Sequence, residues 1–223
     1  MNLSKSSEFF NPSMIQHSIH IIGCGAVGST LAENLVRLGL TRFTLWDFDQ
    51  VESKNIVNQM FFSDQIGMNK VDAVADTMKR INPDVAVTIK PDGYHDEQLS
   101  GWVFLCVDNI DLRRKIAMSH RGSPFVKAMF DCRLGLTDGQ HFAAKWSEPD
   151  QVKAFIDSMQ FSHEEAMAQT PMSACRTVLS VPSTVRVTVA LCVSNFMNMV
   201  RCADYHKSIM CDAFAPYIDA YQA

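Results

Sequence analysis

The glycines of Gly23-Cys24-Gly25-Ala26-Val27-Gly28 and the acids of Asp47-Phe48-Asp49-Gln50-Val51-Glu52 have the types and spacing that most directly imply chemistry. Gly23 permits a tight turn. Gly25 lets the backbone approach a phosphate, and Gly28 lets a helix pack closely on the preceding strand. Free amides at the start of a helix opening at Ala26 favour an anion. This motif alone leaves NAD, FAD and ATP open. Asp47 stands 19 positions after Gly28, where a ribose-binding carboxylate is expected. Asp49 faces the same way, because residues two apart in a strand share a face. A hydride-transfer protein usually has one acid here. Two acids, followed by Asn55, Gln59, Lys70 and Asp108, point toward ATP. Lys70 is a point charge for phosphate. Asp108 ends an apolar run and is a hard oxygen ligand suited to Mg2+. Asn55 and Gln59 are neutral donors for phosphate oxygens. Plainer readings stand beside these. The glycine turn can be purely structural, the acids and Lys70 can be solvated, and Asn55 can cap a short helix.

Elements must hold these residues in place. The apolar run 18–23 predicts a short strand. Val27, Leu31, Leu35 and Leu38 recur at helical spacing and predict a helix over 26–38, stopped by Gly39. Alternation over 42–47 predicts a second strand, which completes a right-handed βαβ unit. A helix is expected over 68–81, broken by Asn82-Pro83-Asp84, then a strand over 85–89. The continuous apolar run Gly101–Val107 suits a central strand covered on both faces. A helix over 112–120 and a strand over 125–129 follow. Beyond Asp131 the pattern loosens. Residues 141–146 read as an antiparallel edge strand, 150–170 as polar helix and 183–201 as a long helix, followed by a short C-terminal helix. Residues 1–17 read as an irregular arm. No repeat or linker interrupts the chain. The expectation is one α/β domain over 1–223, Rossmann-like, with a mostly parallel twisted sheet, helices on both faces and some antiparallel strand in the C-terminal half.

Composition narrows the partners. Hydrophobic residues make up 47% of the 223 residues, enough for one buried core. The net charge of −4, with no basic block interleaved with aromatics, gives no footprint for nucleic acid. The seven cysteines include no C-x-x-C pair, so no zinc is expected. Their spread through apolar segments suits reduced, buried thiols in the cytoplasm. Cys24, inside the glycine turn, reads as a small packing residue. The N-terminus does not read as a signal peptide. The apolar stretch 181–200 is interrupted by Arg186, Asn195 and Asn198, so it reads as a buried helix and no membrane contact is expected.

The order of these motifs resembles the ThiF/MoeB/E1 family of adenylyltransferases, which activate the C-terminus of ubiquitin-like proteins. That family shows a GxGxxG turn, then D-x-D-x-V-x-x-S-N-L-x-R-Q, a Lys soon after a Gly, and a later Asp ending an apolar strand. This chain has the glycines, Asp47, Asp49, Val51, Asn55, Gln59, Lys70 after Gly67, and Asp108-Asn109 with Arg113 downstream. The match covers about residues 18–130. It implies ATP and Mg2+, with Gly23, Gly25, Ala26 and Gly28 at the nucleotide, Asp47 on ribose and Asp49 beside it. It implies Lys70, Asn55 and Gln59 on phosphates and Asp108 on Mg2+. The partner implied is a small β-grasp protein with a Gly-Gly end, and a homodimer is expected. Asp131-Cys132-Arg133-Leu134-Gly135 looks like a D-x-R-x-G segment of compact bacterial or phage members.

The departures from the family are specific. Asn58 stands where the family has Arg, and Lys54 where it has Ser. Asn58 cannot supply the charge that the family's Arg brings to phosphate. The family also often uses an N-terminal arginine from a partner subunit, and residues 1–36 hold none. Lys54 or Arg133 would have to compensate. Cys175, in Ala174-Cys175-Arg176, lies where some members carry a thioester- or persulfide-forming cysteine. A thiol beside an arginine and ahead of a helix has a lowered pKa. The resemblance therefore implies formation of an acyl-adenylate on a partner's carboxylate. A binding protein of the same fold that no longer adenylates, and an NAD-dependent oxidoreductase, are the alternatives.

Overall fold

The computed structural model describes residues 1–174 and 178–222. The chain alternates strand and helix: β1 Ile19–Ile22, α1 Ala26–Arg37, β2 Arg42–Trp46, α2 Lys70–Ile81, β3 Ala86–Lys90, β4 Gly101–Leu105, α3 Ile110–Ser119 and β5 Val126–Leu134. It then adds β6 Asp138–Lys145, α4 Pro149–Asp157, α5 His163–Ala168, α6 Pro182–Val200, β7 His206–Asp212 and β8 Tyr217–Gln222. The eight strands form one sheet in the order β3-β2-β1-β4-β5-β6-β7-β8. Neighbours from β3 through β5 are parallel, and those from β5 through β8 antiparallel. This is the Rossmann-like α/β architecture that the alternating pattern implies.

The sheet is covered on both faces. One layer packs Leu31 and Leu35 of α1, Val71 and Met78 of α2, and Val189 and Phe196 of α6 against Ile21, Leu45 and Phe104. The other packs Ile116 of α3 and Phe155 of α4 against Val103, Leu105 and Met129. Leu31 and Leu35 are wholly buried, and each contributes about 2 kcal/mol of apolar burial. Phe104 and Phe130 stack with ring centroids 4.7 Å apart, and Phe196 meets both edge-on. β1 is buried along its whole length and β4 is apolar along its whole length, because helices cover both sides of them.

The chain runs outward from β1 through β2 to β3, then returns to the other side of β1 as β4. The crevice beyond the carboxyl ends of β1 and β4 is therefore the switch point, where open α/β sheets bind ligands.

The C-terminal third differs from expectation in four places. β5 continues to Leu134, past Met129, because it pairs with β6 through seven registered positions. β6 is interior, between β5 and β7, where a sheet edge was expected. The stretch 150–170 is two helices, the second opened by a capping box between Ser162 and Glu165. The segment expected as a short terminal helix is the β7–β8 hairpin. In the N-terminal arm, Pro12–Met14 makes one 3-10 turn, and Phe10 is buried against Phe196. No helix among the described residues is long and apolar enough to cross a membrane.

Candidate functional site

The glycine turn lies between β1 and α1 and is tied to the end of β4. Gly23 has φ +97°, and a Cβ there would sit 2.6 Å from the Cys106 carbonyl carbon and the Val107 nitrogen. A Cβ on Gly28 would overlap the Gly23 carbonyl oxygen, so α1 approaches β1 only because that position is glycine. Gly25 differs: a Cβ there would meet nothing within 4 Å. It faces open space at the N-terminus of α1, which no side chain caps. Exposed amides at a helix start are suited to an anion.

Asp47 braces this turn. Its Oδ2 accepts from Cys24 N at 2.6 Å and its Oδ1 from Asp49 N at 2.8 Å. Burial pushes its carboxyl above the usual range, against the opposing pull of those two amides. Cys24 is fully buried, and burial together with Asp47 pushes its thiol up, so it packs rather than reacts.

A backbone clip sets Lys70 beside Asp49. Val51 N donates to Met68 O, Gly67 N to Val51 O, and Lys70 N to Asp49 O. Lys70 Nζ then reaches Asp49 Oδ2 at 2.6 Å. Lys70 is thus buried and paired, where a plainer reading had it solvated. Asn55 is also buried, and its Oδ1 accepts from Glu52 N to close the 3-10 turn Ser53–Val57. The capping alternative for Asn55 is realised. Gln59 lies just beyond, with a buried Oε1 that has no partner. Ser29, one turn into α1, was not singled out by sequence reasoning. Its Oγ donates to Gly25 O and accepts from Met60 N, joining the glycine turn to the Asn55–Gln59 segment. Its place one residue after the last glycine was the available signal.

Asp108 follows β4 and is exposed, with no ion pair or side-chain hydrogen bond among the described residues. Asn109 caps α3 through Leu112 N. Arg113 Nε donates to Val107 O at 2.6 Å, and its Nη1 donates to Cys132 O at 2.8 Å and to Asp131 Oδ1. Arg133 donates to Asp131 Oδ2 and to Ser158, and lies over the Phe142 ring. Arg133 is therefore committed to Asp131, and Lys54 pairs with Glu52. Arg133 is thus not free to replace the charge missing at Asn58, and Lys54 is held only by an exposed pair. Asp131, fully buried between two arginines, was noted in the sequence only as part of a short motif.

The donors fit a magnesium nucleotide. Gly25 leaves room for phosphate at the α1 amides, and among the described residues Asp108 is an unpaired carboxylate across the switch point. Cys175 lies outside the described residues.

A second donor cluster sits in the core. Cys132, His141 and Cys192 are buried with their ligand atoms within 4.8 Å of one another. Cys132 is pulled down to about 6 by hydrogen bonding from Cys192 and His141, which outweighs burial. Asn195 pairs with both backbone groups of His206, which sets its amide, and its Nδ2 lies 3.0 Å from His141 Nε2. Neutral His141 therefore carries its proton on Nδ1, the nitrogen that faces Cys132 Sγ at 3.8 Å. A metal held there would displace that proton.

The ThiF family model matches residues 12–209. The ubiquitin-like modifier-activating enzyme 5 of Aedes aegypti is 36% identical over 120 residues, 45% of this chain and 30% of that protein. That of Oryza sativa subsp. japonica is 48% identical over 71 residues, 32% of this chain and 17% of that protein. The chain thus spans about a third or less of these relatives' length. Among solved structures, PaaA superposes with a TM-score of 0.73 at 15% identity, over 99% of this chain and 68% of its own. Escherichia coli MccB with ATP superposes with a TM-score of 0.68 at 14% identity, over 95% and 65%. With the family model covering the glycine turn, both acids, Lys70, Asp108 and most of the sheet, the chain belongs to the ThiF family.

Proposed function

We propose that this protein is an ATP-dependent adenylyltransferase that activates the C-terminal carboxylate of a small protein partner as an acyl-adenylate. The observation that carries the reading is the unpaired Asp108 carboxylate, set across the switch point from the open glycine turn. In the reaction a carboxylate oxygen bonds to the α-phosphorus of ATP, and the bond to pyrophosphate breaks. Two anions must meet, so the site has to neutralise charge. The Gly25 and Ala26 amides cradle phosphate, and Asp47 and Asp49 line the ribose side. Lys70 and Gln59 hold phosphate oxygens, and Asn55 shapes the loop that carries Gln59. Asp108 holds Mg2+, which when bound supplies the remaining positive charge. Lys70 reaches a phosphate by exchanging its half-exposed partner Asp49.

The partner proposed is a ubiquitin-like β-grasp protein ending in Gly-Gly. A homodimer and a cytoplasmic setting accompany that reading, and the chain as a whole serves as one nucleotide-binding domain. Relatives named as ubiquitin-like modifier-activating enzymes support this choice. Cys175 stands as the acceptor of a later transfer.

The test is ATP–pyrophosphate exchange with candidate partners, comparing wild type with Asp108→Ala. Exchange should fall at least about a hundredfold in the variant. Equal rates would remove the Mg2+ assignment. A second reading is favoured by Asn58 together with the committed Arg133: a family member that binds ATP or a partner without adenylating. Tight ATP binding with no exchange against any partner would select it. Preference for NADH over ATP would select an oxidoreductase.

A further inference from the structure

Arg113 ties the loop that carries Asp108 to strand β5. It is buried on α3, 6% exposed, and its guanidinium reaches both the loop after β4 and strand β5. One arm, Nε, holds Val107 O, the carbonyl that immediately precedes Asp108. The other, Nη1, holds Cys132 O and Asp131 on β5. On the far side of Asp108, Asn109 is fixed by its cap to Leu112 N. The Asp108 backbone is thus restrained from both directions, while its side chain stays exposed and unpaired among the described residues.

Charge accounts for why an arginine can do this without spoiling the site. A free guanidinium near Asp108 would pair with that carboxylate and take it from a metal. Here the Arg113 charge is committed to Asp131, whose second oxygen is committed to Arg133. Arg113 therefore restrains the loop through a carbonyl and leaves the Asp108 charge available. The planar fork matters: a lysine ammonium is a single point donor and cannot keep Val107, Cys132 and Asp131 in register together.

We infer that Arg113 is a positioning residue for the divalent-cation site, setting the Asp108 carboxylate through the Val107 carbonyl. The inference rests on the ATP·Mg2+ reading of Asp108. Partners around ligating carboxylates typically change metal affinity by about tenfold to a hundredfold when lost.

The experiment titrates the full-length chain with a fluorescent ATP analogue, once with MgCl2 and once with EDTA. Wild type, Asp108→Asn, Arg113→Lys and the double variant Arg113→Gln/Asp131→Asn are compared. The double variant removes the Arg113 charge together with its anion and leaves Arg133, 15% exposed, on Ser158. Wild type should bind more tightly with Mg2+, and Asp108→Asn should lose that gain. Arg113→Lys and the double variant should lose about tenfold or more of the gain, with affinity in EDTA near wild type. If both keep the full gain, the positioning role is wrong. If affinity in EDTA falls in equal proportion, Arg113 serves folding only and the role is again wrong. If Asp108→Asn keeps the gain, or wild type shows none, the Mg2+ reading itself fails and this inference falls with it.

Discussion

Lys70 Nζ lies 2.6 Å from Asp49 Oδ2, and the two ends of this pair see different surroundings: the lysine side chain is 9% exposed and the aspartate 52%. A buried ammonium needs an anion beside it. Asp49 supplies one, yet remains hydrated enough to give it up cheaply. The pair therefore fixes Lys70, and under the proposed ATP function a phosphate would take the place of Asp49.

Lys70→Met should weaken ATP binding about tenfold to a hundredfold, the loss of one charged hydrogen bond. Calorimetric titration with ATP measures it. Asp49→Asn should leave a buried lysine without its anion and lower stability by about 1–3 kcal/mol, read from the urea midpoint. Unchanged ATP affinity in Lys70→Met would show that the lysine serves only Asp49.

Gly25 and Gly28 should separate site from scaffold. A Cβ on Gly28 overlaps backbone oxygen, whereas one on Gly25 meets no protein atom. Gly28→Ala should cost several kcal/mol, on the order of a severe core overpacking, or prevent folding. Gly25→Ala should fold with a melting temperature near wild type and bind ATP at least about tenfold more weakly. Full ATP binding by folded Gly25→Ala would place the phosphates elsewhere.

Asn58→Arg should strengthen the site. Asn58 follows directly on the Asn55 turn, and Arg133 is committed to Asp131. One arginine–phosphate contact should raise ATP–pyrophosphate exchange by about tenfold or more. No change in exchange would separate this chain's chemistry from that of arginine-bearing relatives.

His20 should make stability fall in mild acid. Burial, with the neighbouring His120, pulls its pKa from 6.5 to about 4. Between those values the unfolded chain binds a proton that the folded chain refuses. Stability is therefore complete above pH 6.5 and lost as pH drops toward 4, by at most roughly 3 kcal/mol. Urea midpoints across that window measure the slope, and His20→Gln should flatten it. An equal slope in the variant would assign the effect to another group.

The first half of the fold was legible because its signals are local. Four buried strand residues before Gly23, helical spacing of Val27, Leu31 and Leu35, and the apolar run of β4 each report their own element. The last hairpin was not legible. In β7 only Ile209 and Cys211 are buried, and β8 is exposed on both faces. Its strands exist through pairing with each other and with β6, which leaves little periodicity to read.

The sequence by itself determined the family, the glycine turn and the candidate groups of the site, because these depend on residue type and short spacing. Only the tertiary structure decided how those groups are committed. Lys70 is buried against Asp49, Asn55 closes its own turn, Arg133 is taken by Asp131, and Asp108 is left free. The physical reason is that the deciding partners come from other elements: Asp131 lies 18 residues from Arg113, and Asp49 lies 21 from Lys70.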